Sequence, residues 1–309
     1  MSLLHDAFVY DSETEYCDAL VPFAAAGVGA GEQVWIVTRS DNLALLRERL
    51  DAAAAAVHFV DSEQWYRAPA TTIAGYQRVL ADAAAAGAPG VRVVGEVEFG
   101  HSEIEHAEWT RYESVLNLAF ADHPAWIICP YDARRLPATV VEHAMRTHPH
   151  MIWQGRREPS TAYVAPDRFV EPLPVPVAGP PSAEVRMTSS PGPARPLVAA
   201  TARAAGLGAV RVDEICIAVN ELVTNALVHG VPPVDLRVWP VSEGVVYEVA
   251  DRGTAAIHPA AGLSPVTMTA NGGAGLWLAR QLADRVEVVA DAPVTTIRIF
   301  ARSPQDRKS

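Results

Sequence analysis

Seven prolines fall between residues 159 and 181: Pro159, Pro166, Pro172, Pro174, Pro176, Pro180 and Pro181. Each lacks a backbone N–H and fixes φ, so neither a helix nor a central strand can run through them. This stretch predicts an extended, semi-rigid linker over 156–182, with a domain on each side. The boundaries that follow are 1–155, 183–301 and a polar tail at 302–309. A chain of 309 residues, 50% of them hydrophobic, has enough apolar surface for two separate cores.

Up to about residue 150, short apolar runs alternate with helical stretches. Strands are expected at Ala7–Tyr10, Gln33–Thr38, Val57–Val60, Val91–Val97 and Ala125–Tyr131. Helices are expected at Glu13–Ala26, Leu43–Ala54, Thr72–Ala86, Glu103–Ala121 and Ala138–Thr147. Strands alternating with helices predict a doubly wound, mostly parallel α/β sheet. The first strand is followed by Asp11-Ser12-Glu13-Thr14, an acidic helix start rather than a glycine-rich phosphate loop. A nucleotide is therefore not expected on this sheet.

Composition removes several classes of function. A net charge of −11 and a pI near 5.4 argue against a nucleic-acid surface, which needs clustered Lys and Arg. Cys17, Cys129 and Cys216 show no paired spacing, so neither a disulfide framework nor a zinc site is indicated. No apolar run approaches the length of a membrane helix, and residues 1–6 lack the basic and apolar regions of a signal peptide. A cytoplasmic protein is expected. The only lysine is Lys308, so neither a P-loop nor a strand-lysine kinase site can form. Any ATP chemistry here must use glycines, a metal and arginines.

The second domain carries three pieces of such a site. The helical run Asp213–His229 holds Glu221 and Asn225 four apart, one above the other on a flank, beside an apolar stripe of Ile215, Val219, Leu222 and Ala226. A carboxylate and a carboxamide so placed suit an oxygen-liganded Mg²⁺. Asp251 closes the strand-like run Val245–Ala250, where its carboxylate can accept from an exocyclic amine. Gly272-Gly273-Ala274-Gly275 precedes a helix over Leu276–Ala283, and Gly273 and Gly275 allow backbone to approach phosphates.

In this order and spacing the pieces resemble the Bergerat-type ATP-binding domain of gyrase, histidine kinases and MutL. The stretch Glu214–Gly230 looks most like the N box of anti-sigma-factor serine kinases. The resemblance implies an α/β sandwich over 183–301 that binds ATP and Mg²⁺. It implies Asn225 on the metal, Glu221 as the catalytic group and Asp251 on adenine with Gly253 beside it. Gly273, Gly275 and Leu276 would lie at the phosphates, and Thr295 or Thr296 on the adenine side. Ala255 stands where the family usually has a second glycine, which bears on local backbone geometry. The implied partners are a STAS-type anti-anti-sigma protein and a sigma factor.

In the first domain, His5–Tyr10, Phe23–Glu32 and Ile127–Asp132 resemble the sensory domain of DcmR-type regulators (the MEDS domain), which implies a small-molecule ligand. Ligands of open parallel sheets bind beyond the carboxyl ends of strands. Tyr10, Arg39, Glu96, Glu98, His101, Cys129 and Tyr131 are expected there, with Tyr10, Glu96, His101, Cys129 and Tyr131 as the sensory pocket. His101 and His106 among Glu98, Glu103 and Glu105 are five apart, off one helix face, and read as a solvated helix start rather than a metal site. His143, His148 and His150 suit a helix end more than a metal.

The expected whole is a signalling protein in which a sensor controls an ATP-dependent serine/threonine kinase, with a homodimer as a further possibility. Two alternatives stay open. One is a non-catalytic regulator whose segment between Ala256 and Gly272 is ordered by ATP. The other is a histidine kinase accepting phosphate on His143, His148 or His150, although a proline-rich linker stands where such an enzyme places its dimerising helix.

Overall fold

A computed structural model describes residues 2–153, 155–166, 168–169, 177–254, 257, 261–262, 274–289 and 294–303. The chain divides into two units, Met1–Glu171 and Pro172–Ser309.

The first unit runs β1 (Leu4–Tyr10), α1 (Glu13–Gly29), β2 (Gln33–Thr38), α2 (Ser40–Leu50), β3 (Val57–Asp61), α3 (Ser62–Trp65) and α4 (Pro69–Ala85). It continues β4 (Val91–Gly95), α5 (Glu103–Ala119), β5 (Ala125–Asp132), α6 (Ala138–Thr147), β6 (His150–Trp153) and β7 (Arg156–Pro159). The strands form one sheet in the order β3-β2-β4-β5-β1-β6-β7, parallel except for β7. The doubly wound α/β expectation holds. Helices α1 and α2 contact each other and β2, whereas α4, α5 and α6 pack in succession on the opposite face. Both faces are therefore covered, which is why the alternating neighbours Ile36 and Val37 are both fully buried. Burial of each stabilises the unit by about 1.5–3 kcal/mol.

Caps set the helix starts. Ser12 accepts from Glu15 N at 3.3 Å, and Ser102 forms a reciprocal capping box with Glu105. The helix expected over Leu43–Ala54 instead begins at Ser40 and stops at Leu50. Asp51 has φ of 46°, and a 3₁₀ turn follows over Asp51–Ala56.

The proline-rich stretch begins later than its first proline suggests. Arg156–Pro159 pairs antiparallel with β6, and Pro159 tolerates the position because it ends an edge strand. Val164 N then bonds Arg146 O at 2.9 Å, and Phe169 is buried beneath the Arg146 guanidinium. The first unit thus reaches past the expected boundary at 155.

The second unit runs β8 (Ala183–Met187), α7 (Ala194–Ala204), α8 (Ala209–His229), β9 (Val234–Val241), β10 (Gly244–Ala250), α9 (Ala274–Leu282), β11 (Arg285–Val288) and β12 (Thr296–Arg302). Its sheet, β11-β12-β10-β9-β8, is antiparallel throughout. Alternation divides β10 cleanly. Val245, Tyr247 and Val249 join Val198, Val219 and Leu222 in the helix-facing core. On the other face Glu248 pairs with Arg237 at 3.0 Å and Arg298 at 2.8 Å. This is the expected α/β sandwich. Arg302, placed in the tail by the sequence, is instead the last residue of β12, and Ser303 N bonds Glu243 O at 2.8 Å.

Candidate functional site

Helix α8 presents Ile215, Val219, Leu222 and Val223 to the sheet and keeps Glu221 and Asn225 half-buried on its flank. This is the arrangement the four-residue spacing requires. Asn225 is held close to the backbone at the start of α9: a Cβ added to Gly275 would collide with the Asn225 amide nitrogen. Only glycine permits that approach.

Asp251 leaves β10 at its carboxyl end and is 4% exposed. Its Oδ1 accepts from Val231 N at 3.1 Å and Gly253 N at 2.6 Å, which fixes the carboxylate plane. Among the described residues Oδ2 takes no hydrogen bond. Two glycines make room for this carboxylate. A Cβ at Gly253 would stand 2.7 Å from Oδ1, and one at Gly230 would stand 2.6 Å from Oδ2. The loop is locked to β12 through Asp251 N to Thr295 O at 3.1 Å and Thr295 N to Gly253 O at 2.7 Å.

A cavity of about 370 Å³ opens over this cluster, lined by Asn225, Val231, Asp251, Gly253, Ile257 and Thr295 among others. Apolar walls with a few fixed polar groups suit a flat heteroaromatic ligand. Thr295 belongs to the lining and Thr296 does not; the latter's hydroxyl turns back to Val294 O at 3.1 Å. Strand alternation separates the two. Glu221 and Leu276 also lie outside the lining; Leu276 packs against the core of the unit. Gly273, Ala255 and most of the segment between Ala256 and Gly272 fall outside the described residues.

In the first unit a polar network gathers at the carboxyl ends of the strands. Glu96, 5% exposed, accepts from Tyr10 Oη at 2.8 Å, Asn42 Nδ2 at 2.8 Å, Arg39 Nε at 3.3 Å and the Thr38 hydroxyl. Burial, then the neighbouring Glu96 carboxylate, pushes the Tyr10 phenol above its ordinary range. Arg39 also reaches Asp132 at 3.4 Å, and Arg134 grips Asp132 through two bonds of 2.8 and 2.9 Å. Burial opposes ionisation of Asp132, but the Arg134 hydrogen bonds outweigh it and hold the carboxyl below its usual range. A cavity of about 400 Å³ lies over this network, lined by Arg39, Glu96, Glu98, His101, Trp109 and Arg135 among others. The expected Glu96 and His101 meet there, and Tyr10 sits beneath, orienting Glu96.

Cys129 and Tyr131 do not join them. Residues 129 and 131 alternate with Asp132 along β5, so their side chains project through the opposite face of the sheet, toward α5 and α6. Tyr131 packs edge-on to His148 with centroids 5.8 Å apart, and Cys129 lies 3.4 Å from His5 Nε2. His148 is fully buried, so it cannot present its ring to a kinase, and His150 is tied to Arg157 at 2.8 Å.

The chain thus holds a parallel α/β unit with a polar cavity at its strand ends and an antiparallel sandwich with a glycine-walled pocket. Residues 4–149 match the family model of MEDS, the methanogen/methylotroph DcmR sensory domain. Residues 188–300 match that of the histidine kinase-like ATPase domain. The chain joins a MEDS sensory domain to a histidine kinase-like ATPase domain, the combination its motifs imply. No curated protein matches the chain. Among the described residues no helix is long and apolar enough to cross a membrane.

Proposed function

We propose that this signalling regulator couples small-molecule sensing to a Mg²⁺-ATP-dependent serine/threonine kinase of the anti-sigma-factor type. The observation that carries the reading is the clamped Asp251: one oxygen is fixed by two backbone N–H groups and the other is left to a ligand in a pocket that glycines keep open. That chemistry fits adenine, whose exocyclic amine donates to Oδ2 while Thr295 stands on the same wall. The Asn225 carboxamide, held against Gly275, would contribute an oxygen to Mg²⁺. Glu221, one turn earlier on the same flank, would accept the proton of the acceptor hydroxyl. Bound Mg²⁺-ATP supplies the phosphoryl group and the charge neutralisation its transfer needs.

The acceptor in this reading is a serine or threonine of a STAS-type anti-anti-sigma protein, with a sigma factor as the competing partner. Arg39, Glu96 and His101 would contact a polar small molecule in the first unit. The test is ATP titration of the full chain followed by phosphotransfer to a candidate STAS protein. Acid-stable phosphate on the acceptor is expected. Tight ATP binding without transfer to any STAS protein would favour the non-catalytic, ATP-gated alternative.

A further inference from the structure

We propose that His5, Glu113, Cys129 and His148 form a buried four-coordinate site for a divalent transition-metal ion, zinc by its ligand chemistry. The four side chains come from β1, α5, β5 and the residue after α6, and each is no more than 2% exposed. Their ligating atoms all lie within 4.8 Å of one another. Glu113 Oε2 is 3.2 Å from His5 Nε2 and 3.4 Å from His148 Nε2. Cys129 Sγ is 3.4 Å from both Glu113 Oε2 and His5 Nε2. Zinc bonds of 2.0–2.3 Å place the ligands of a tetrahedron about 3.3–3.7 Å apart, which is close to these spacings.

The hydrogen bonds behind the cluster point the same way. Asn117 Nδ2 donates to Ser114 O at 3.1 Å and Thr147 O at 2.8 Å, so its Oδ1 faces His5 Nδ1 at 3.1 Å. His148 Nδ1 lies 3.0 Å from Ala144 O, a carbonyl that can only accept. In their neutral forms both rings therefore carry the proton on Nδ1 and turn an Nε2 lone pair inward. Backbone or side-chain oxygens behind the distal ring nitrogen are the usual support of metal-binding histidines.

Without a cation the arrangement is poorly satisfied. His148 Nε2 and Glu113 Oε1 are buried with no hydrogen-bond partner. Protonating both rings would set two cations side by side, with centroids 4.1 Å apart, in a site sealed from water. One dication instead meets two imidazole lone pairs, a carboxylate and a thiolate, and the site is neutral. Binding requires Cys129 to lose its proton, which leaves to solvent as the metal enters.

Metal analysis of the full chain, purified from zinc-supplemented cells without chelators, tests the assignment. We expect about one zinc per chain, consistent with a closed four-ligand site. The stripped full chain titrated with Co(II) should develop intense four-coordinate d–d bands and a thiolate-to-cobalt charge-transfer band. Cys129→Ser, nearly isosteric, should lose the charge-transfer band. Asn117→Ala keeps all four ligands but frees the His5 ring, and should weaken zinc binding about 10–100-fold. A folded full chain that neither retains zinc nor takes up Co(II) would overturn the site. An unchanged cobalt spectrum in folded Cys129→Ser would do the same.

Discussion

Asn225 and Gly275 are so close that no side chain can be added to Gly275 without displacing the Asn225 amide. Gly275→Ala should therefore push Asn225 off its rotamer, at a cost of about 0.5–1.5 kcal/mol, or roughly two- to tenfold in Mg²⁺-ATP affinity. Alanine favours the helix that glycine weakens, so thermal stability should not fall in step. Calorimetric ATP titration beside a thermal melt separates the two. Unchanged affinity would remove Asn225 from the metal position.

Asp251→Asn keeps an acceptor for the N–H groups of Val231 and Gly253 but replaces the ionised Oδ2 with an amide. A charge-assisted hydrogen bond is lost, worth about 1.5–3 kcal/mol, or roughly ten- to a hundredfold in ATP affinity. Competition between ATP and GTP in the same variant should also show less discrimination. Equal affinities in variant and parent would exclude the adenine assignment.

Glu221 and Asn225 share a helix flank, yet only Asn225 lines the cavity. Glu221→Ala should bind ATP almost normally and lose about 10²–10⁴-fold in phosphotransfer. Asn225→Ala should lose binding itself. Rates and affinities measured on both variants decide whether the flank is catalytic; transfer at the native rate in Glu221→Ala would leave a binding switch only.

Arg157 lies beyond the boundary expected at residue 155 and belongs to the first unit. It grips the fully buried Asp6 with bonds of 2.7 and 3.0 Å, and Trp126 Nε1 adds a third at 2.9 Å. A chain ending at residue 155 leaves that carboxylate the Trp126 N–H but no guanidinium. The penalty should fall near the lower end of the about 3–5 kcal/mol for a broken buried pair, because Arg157 is itself 31% exposed. Urea unfolding of fragments ending at 155 and 169 should show the longer one clearly more stable.

Asp132 links stability to pH. Its carboxyl is held below the ordinary value, so its contribution is present above the unfolded pKa of about 3.9 and fades as pH falls toward the lower folded value. Arg134→Met should therefore destabilise the unit at neutral pH, and by progressively less below about pH 4. Because Arg134 is 46% exposed, added salt should shrink the difference as well. Unfolding curves at three pH values and two salt concentrations check both trends. A difference independent of pH would remove the ion pair as its cause.

The elements that repeat a strong local rule were readable from the residues. Helix α6 occupies the expected Ala138–Thr147, and β2 the expected Gln33–Thr38. Glu221 and Asn225 share a flank because helical spacing alone puts them there. What escaped depends on which face of a strand a residue takes. Cys129 and Tyr131 are near the right end of β5 but on the wrong side of it, and Thr295 and Thr296 differ in the same way. β7 escaped because three of its four residues are charged and the fourth is proline, and only its partner β6 identifies it as strand. The His5–Glu113–Cys129–His148 cluster has no local spacing, since its members meet only when four distant elements pack.

The place of β1 in the sheet also sets a timetable. The earliest strand of this unit in chain order lies between β5 and β6, whose residues follow it by more than a hundred positions. Until those partners emerge, Phe8 and Tyr10 have no neighbours to pair with, and Asp6 has no guanidinium. Closing the longest loop in the unit is thus a late act of folding, entropically slow and exposed to error in the interval. The nascent sensory domain can complete its sheet only after nearly all of its chain has left the ribosome.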